Sequence, residues 1–309
     1  MNDIALSGDA RPVAADEIAP LPMSEADREA LRRAVAALEK PGLAARLSSA
    51  AGAPLDMIGR ALPAPVTDMV ARSTEGAMRT ALRVALATLP DKRVAGTGTA
   101  LDTVSETATG RLGRWFGSSE AKHRTFAAVS GAVGGAFGLA TVAVELPVST
   151  TLMLRSIAEI AREEGEDLAD PESALACVQV FALGGRGGGG EATVADSGYF
   201  AVRAALAKTM SEAARYAAHR SLLDSGAPAL VRFSAQIAAR FGIVVSQKVA
   251  AQAVPLLGAV GGATVNAAFM NHFQSTARGH FVVRRLERRY GRPAVRHAYM
   301  EEKASLGLA

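Results

Sequence analysis

The sequence predicts an all-α protein, and three observations predict it. No stretch alternates apolar and polar residues with the period of two that a half-buried strand needs. Apolar residues instead recur three and four apart, as at Leu31, Val35 and Leu38. Proline and glycine punctuate these runs, at Pro41-Gly42, Pro63, Pro65, Pro90 and Gly165.

The elements follow in order. The first 22 residues, with Pro12, Pro20 and Pro22, read as a mobile arm, and residues 23–309 as one helical domain. Ser24 and Asp27 form a capping pattern for a helix that Pro41-Gly42 ends. Helices follow at about 43–62 and 66–89, with a weaker one at 97–116. Residues 125–144 carry no charge, and after Glu145 a long helix runs to Gly165. Asp170-Pro171-Glu172 starts the next helix, with Asp as cap and Pro in the first turn. The glycine run 184–190 is a loop. Helices at about 198–223 and 228–253 come next. A second uncharged run, 249–277, leads into a basic helix ending at Tyr290, and 293–304 closes the chain.

Composition excludes several classes. Of 309 residues, 49% are hydrophobic but only 5% aromatic, too apolar for a disordered chain. One cysteine, Cys177, excludes a disulfide scaffold and a cysteine-ligated zinc or iron–sulfur site within one chain. The start MNDIALSGDA lacks a basic segment followed by an apolar run, so no secretory signal is read and a cytoplasmic location is expected.

Charge is unevenly placed. The net charge is +4, yet residues 278–296 hold seven arginines against one acid, Glu287, while 159–172 hold seven acids against one arginine, Arg162. The two segments can meet within the fold, line a wet face, or leave arginines for lipid phosphates. Inner arginines are expected on acids such as Glu159, Glu163 or Asp167. Arg289, Arg292 and Arg296 are expected to be free for anionic lipid. No nucleic-acid role is read, because no recognition motif is visible and stacking aromatics are few.

The hexapeptide Gly-Ala-Val-Gly-Gly-Ala occurs at 131–136 and again at 258–263. Gly131 and Gly135, like Gly258 and Gly262, are four apart and form a smooth strip for close helix approach. The strips suit either a tight soluble core or a membrane-apposed hairpin. They put two long glycine-strip helices at the centre of the predicted bundle, related by a pseudo-repeat. The repeat sets Glu145 opposite His272 in pattern, so the two are expected within reach of each other. Glu145, Ser149, Ser156 and Glu159 share one helical face, and Phe269, His272, Thr276 and His280 another. A Glu/His set of this kind suits a metal or a proton relay, or else a structural polar layer. No Glu-x-x-His or His-Glu-x-x-His spacing is present. His123, His219 and His297 read as surface groups, and Cys177 as a buried small side chain. Nucleotide P-loop, Rossmann and nucleophile-elbow patterns are missing.

Residues 147–161, PVSTTLMLRSIAEIA, resemble the signature of the EcsC family of bacterial proteins. The likeness continues through Glu164–Glu172, Val180–Gly185, Ser197–Ala207 and Asn266–Gly291, and covers roughly 60–305. It implies membrane association and, from the family's name, an ABC transporter or other membrane protein as partner. It brings no agreed reaction, no cofactor and no catalytic residues. Glu145, Arg155, Glu159, Asp167, His272, His280 and Arg284 stand as candidates. The expected function is a membrane-associated accessory protein that contacts anionic lipid on the inner face of the cell membrane. The alternatives are a metal-dependent hydrolase or other enzyme with an interior Glu/His site, and a soluble helical scaffold.

Overall fold

The structure is a computed structural model that describes residues 22–39, 62–87, 142–185, 198–219, 228–253 and 255–308. Of residues 142–144, 219, 252–253 and 255–263 it describes the backbone alone. Among the described residues there are eight helices and no strand. They are α1 (Glu25–Glu39), α2 (Ala64–Ala87), α3 (Val142–Glu163), α4 (Pro171–Leu183), α5 (Tyr199–His219), α6 (Pro228–Ala253), α7 (Pro255–Tyr290) and α8 (Arg292–Ser305). The arm 1–21, the helices expected at 43–62 and 97–116, and the uncharged run 125–141 lie outside the described residues. So do Gly131 and Gly135, and with them the pseudo-repeat. Gly258 and Gly262 fall on the backbone of α7.

Local chemistry sets the helix ends. At α1 the Asp27 N–H donates to Ser24 Oγ at 3.2 Å, as the capping pattern predicts. α3 ends in a Schellman turn, with Glu166 N–H donating to the Ala161 carbonyl and Gly165 N–H to that of Arg162. Gly165 takes φ +78°, which a side chain would strain. α4 starts where Asp170 Oδ2 accepts from Ser173 N–H at 2.9 Å, with Pro171 in its first turn. Gly291, at φ +84°, separates α7 from α8.

The enclosed element is the short helix α4. Every residue from Ser173 to Leu183 is buried. Helices α2, α3, α5, α6 and α7 all pack against it. A helix apolar all round is stable only when covered all round. The two long helices, α3 and α7, pack on each other beside it. Phe181 of α4 sits 5.0 Å from Phe241 and 5.4 Å from Phe273, ring centre to ring centre. Phe269 joins them at 5.2 Å from Phe273. With so few aromatics in the chain, this cluster concentrates the bulky part of the core.

The acidic and basic segments meet within the fold. Glu166, at 2% side-chain exposure, accepts two hydrogen bonds from Arg284, at 2.9 and 3.0 Å, and one from Ser173 at 2.7 Å. Arg288 also pairs with it. Arg285 pairs with Glu164 at 2.7 Å and with Asp27 at 3.3 Å. The acids in these pairs are Glu164, Glu166 and Asp27, with Glu172 3.6 Å from Arg284. Asp167, expected among them, accepts from the Ala169 N–H, and Glu163 lies on the surface. The Schellman turn decides this, because it rotates Glu166 inward and its neighbours outward. Burial alone would raise the Glu166 carboxyl, but hydrogen bonds from Arg284, Ser173 and Arg288 overcome it and hold the group at about 2.

Close helix approach is visible at Gly279. A Cβ there would lie 2.7 Å from Leu38 Cγ and 3.2 Å from the Ala34 carbonyl oxygen of α1. Gly76 on α2 has open space at the same position. Gly279→Ala is expected to cost about 1–3 kcal/mol by overpacking. Gly76→Ala is expected to gain about 1 kcal/mol through helix propensity. Chemical denaturation of both variants checks the pair, and a stabilised Gly279→Ala would contradict the packing.

The Glu166 carboxyl is depressed from 4.5 to about 2, so its contribution is full above pH 4.5 and is lost as pH falls towards 2. The depression is worth about 3 kcal/mol. Glu166→Gln is expected to lose that much or more at pH 7 and to converge on the parent below pH 4.5. Denaturant titrations across pH 2–7 measure this, and a constant difference over that range would refute the assignment.

Candidate functional site

The candidates from the sequence lie at separate places. Glu145 accepts from Lys248 Nζ at 2.8 Å and from Asn266 Nδ2 at 3.1 Å. The side chains of Lys248 and Glu145 are 5% and 9% exposed, and the ammonium lies 5.0 Å from the Phe269 ring centre. Burial pulls the Lys248 ammonium below its ordinary range, and Glu145 opposes that pull. His272 instead turns Nε2 to the Gly184 carbonyl at 2.8 Å, capping the C-terminus of α4. It sits six residues beyond Asn266, about 9 Å of helix rise. The expected Glu145–His272 partnership is thus replaced by Glu145–Lys248, since a buried carboxylate is met best by a full cation. Two residues beyond His272, Gln274 donates to Ser156 Oγ at 2.8 Å, a structural polar layer between α7 and α3. Arg155 and Glu159 are on the surface.

Among the described residues, no three His, Cys, Asp or Glu side chains cluster in a way that would hold a metal ion. Cys177 is buried, and burial, with the Glu166 charge, pushes its thiol up to about 12. Such a thiol is a poor nucleophile at neutral pH. One described helix, Pro228–Ala251 in α6, is long and apolar enough to cross a membrane, with 44% of its most apolar window buried in the bundle. A covered core helix passes the same test.

His280 belongs to a different group. Its Nδ1 lies 2.8 Å from the Tyr199 hydroxyl, which accepts from Arg203 at 3.3 Å. Arg203 then grips Glu287 through two bonds of 2.7 and 2.8 Å. Arginine offers only donors, so the tyrosine proton has one acceptor here, His280 Nδ1. That puts the imidazole hydrogen on Nε2, an atom with no hydrogen-bond partner. His280 is fully buried. Burial first, then the Arg203 and Arg284 charges, hold its pKa well below the ordinary 6.5. Burial likewise raises the Tyr199 hydroxyl. These groups lock α5 to α7 in fixed protonation states.

Above this lock lies a cleft of about 760 Å³ between α5 and α8. Its α5 wall carries Phe200, Ala204, Ala207 and Met210, at spacings of four, three and three. Its α8 wall carries Arg292, Arg296, Met300 and Lys303, at spacings of four, four and three. Both sets are single helical faces. Arg203, Arg284 and Glu287 line the interior, with Glu172 and Glu39 beside them.

The three carboxylates of the cleft are engaged. Glu287 holds Arg203, Glu172 lies beside Arg284, and Glu39 accepts from the Tyr299 hydroxyl at 2.7 Å. Arg292, Arg296 and Lys303 make no ion pair among the described residues. Arg296 stacks over the Phe200 ring at 5.8 Å. Of the three arginines expected to meet lipid, Arg292 and Arg296 are therefore unpaired and line the cleft. Arg289 is corrected, since Asp27 holds it at 3.1 Å while 63% of its side chain stays exposed. The Asp27 carboxyl is kept low first by its hydrogen bond from Tyr290.

Sequence reading missed Lys303 and Lys248. The regular spacing after Arg292 was the signal for Lys303, and the position of Lys248 at the edge of a 29-residue uncharged run was the signal for that one. Arg203 and Tyr199 carried no local signal, because their partners lie more than eighty positions away.

Comparison with known proteins gives one positive finding. A family model described as the EcsC protein family matches residues 25–286. The match starts earlier than the resemblance read from the sequence, taking in α1, and stops before α8. No curated protein matches, and no solved structure matches.

His280 is expected to stay neutral through the physiological range. Its folded pKa lies below its unfolded value, so its contribution is full above pH 6.5 and is lost as pH falls below that. The ring Cε1 proton shift of His280 is expected to be constant from pH 8 to pH 5.5. A titration midpoint near 6.5 would show an exposed imidazole and break the Tyr199 pairing.

Proposed function

This chain belongs to the EcsC protein family, and from that premise we propose that it is a membrane-associated accessory protein that meets anionic lipid through α8. One observation carries the reading. Arg292, Arg296 and Lys303 stand on one face of α8 and make no ion pair among the described residues, and the exposed Met300 stands among them. Like charges four apart on a helix repel each other. An anionic surface relieves that repulsion and gains about 1 kcal/mol for each basic residue near it.

The uncharged runs are not needed for this contact. The run 249–277 starts near the end of α6 and continues along α7 to Ala277, where Val265, Phe269, Met270, Phe273 and Ala277 are buried in the core. The basic stripe begins at Arg292, past the end of α7, and we assign the contact to it. An ABC transporter or other membrane protein as partner follows from the family's name, and no surface is assigned to it. A metal-dependent hydrolase finds no support in Glu145 or His272, whose polar atoms are committed to Lys248 and Gly184.

The full chain is expected to float with vesicles containing anionic phospholipid at low salt and to dissociate as salt rises. Replacing Arg292, Arg296 and Lys303 together by Gln is expected to weaken binding about a hundredfold while leaving the melting temperature in place. Equal flotation of parent and triple variant would defeat the electrostatic contact. Failure of the parent to bind any vesicle would defeat the membrane reading and favour the soluble scaffold.

A further inference from the structure

We propose that the cleft between α5 and α8 is a binding site for a single anionic phospholipid molecule, with its phosphate held by Arg292, Arg296 and Lys303 and its apolar part laid against Ala204, Ala207 and Met210. The inference rests on the membrane reading for the source of the ligand, and goes beyond it by naming a pocket rather than a surface. The wall formed by α8 lies beyond the residues matched by the family, so the site is read from this chain's own residues.

Four observations point the same way. The volume, about 760 Å³, falls within the ~300–1,000 Å³ of small-molecule sites and is too small for a folded partner. The interior charges are already balanced, as Arg203 by Glu287 and Arg284 by Glu166, so an incoming anion meets the three outer cations. Arg296 is held over Phe200, which orients its guanidinium before any ligand arrives. Between the cations and the floor the α5 wall is small and apolar, with Ala204 and Ala207 exposed and Met300 opposite. A bare phosphate would satisfy the cations and leave that wall wet. A neutral amphiphile would cover the wall and leave the cations unpaired. A phosphate-headed lipid does both.

Glu39, Glu172 and Glu287 also line the cleft and oppose an anion. Each has a donor or cation partner on the protein, which directs the phosphate to the outer α8 rim.

The test uses the full chain and dihexanoyl phosphatidylglycerol below its micelle concentration, followed by calorimetry. Saturable binding at one molecule per chain is expected, with dihexanoyl phosphatidylcholine and inorganic phosphate both clearly weaker. Arg296→Gln is expected to weaken binding about fivefold. Ala207→Trp, at an exposed helix position, is expected to block uptake by filling the apolar wall while leaving vesicle flotation and the melting temperature unchanged. Inorganic phosphate binding as tightly as the lipid would reduce the site to a plain anion site and overturn the proposal. Phosphatidylcholine binding as tightly, or an Ala207→Trp variant that binds like the parent, would overturn it too. A parent that floats with anionic vesicles yet takes up no soluble lipid would sink the pocket and leave the membrane reading standing. Uptake without flotation would uphold the pocket and sink that reading.

Discussion

The carboxylate of Glu166 ties the bundle together. It lies in the turn between α3 and α4, almost wholly out of water, and accepts from Arg284 of α7 and from Ser173 at the start of α4. A buried carboxylate without such partners would be costly enough to be protonated or expelled. The turn that aims it inward depends in its own right on Gly165 at positive φ. One residue thus sets the register of α4 against α7, and α4 is the helix that all its neighbours must enclose.

Helix α7 is the spine on which the other polar contacts are arranged. Along it come Asn266 with Glu145, His272 with the end of α4, Gln274 with Ser156, His280 with Tyr199, Glu287 with Arg203, and Tyr290 with Asp27. Helices α1, α3, α4 and α5 are each tied to it by such a hydrogen bond. Apolar contact alone is non-directional, and in a core made mostly of small aliphatic side chains it specifies register weakly. The polar ladder supplies that specificity, at the cost of leaving His280 Nε2 without a partner.

The same arrangement separates structural charge from available charge. Arg203, Arg284 and Arg285 are bound to acids of the fold, and their positions follow from it. Arg292, Arg296 and Lys303 fall past the break at Gly291, on a helix whose inner face is Val295, Ala298 and Tyr299. Their outer face looks into the cleft, where they make no ion pair among the described residues. The break between α7 and α8 therefore divides the arginines that hold the protein together from those that can bind something else.

The all-α class, the helix starts at Ser24 and Asp170, the burial of Cys177 and the meeting of the acidic and basic segments were all legible in the sequence. They rest on helical periodicity, capping chemistry and charge, which act over a few residues or over whole segments. The particular partners were not legible. Whether Glu166 or Asp167 faces inward depends on the rotation imposed by a turn, and a difference of one residue swings a side chain about 100° around a helix. Glu145 was recognised as an interior group, but Lys248 could be chosen over His272 only once α6 stood beside α3. The cleft has no sequence signature, because its two walls are more than eighty positions apart and only the fold brings them together. Local chemistry determined the elements and the sign of their charge. Tertiary packing decided which charges were spent, since neutralisation needs contact and contact between distant segments is set by the fold.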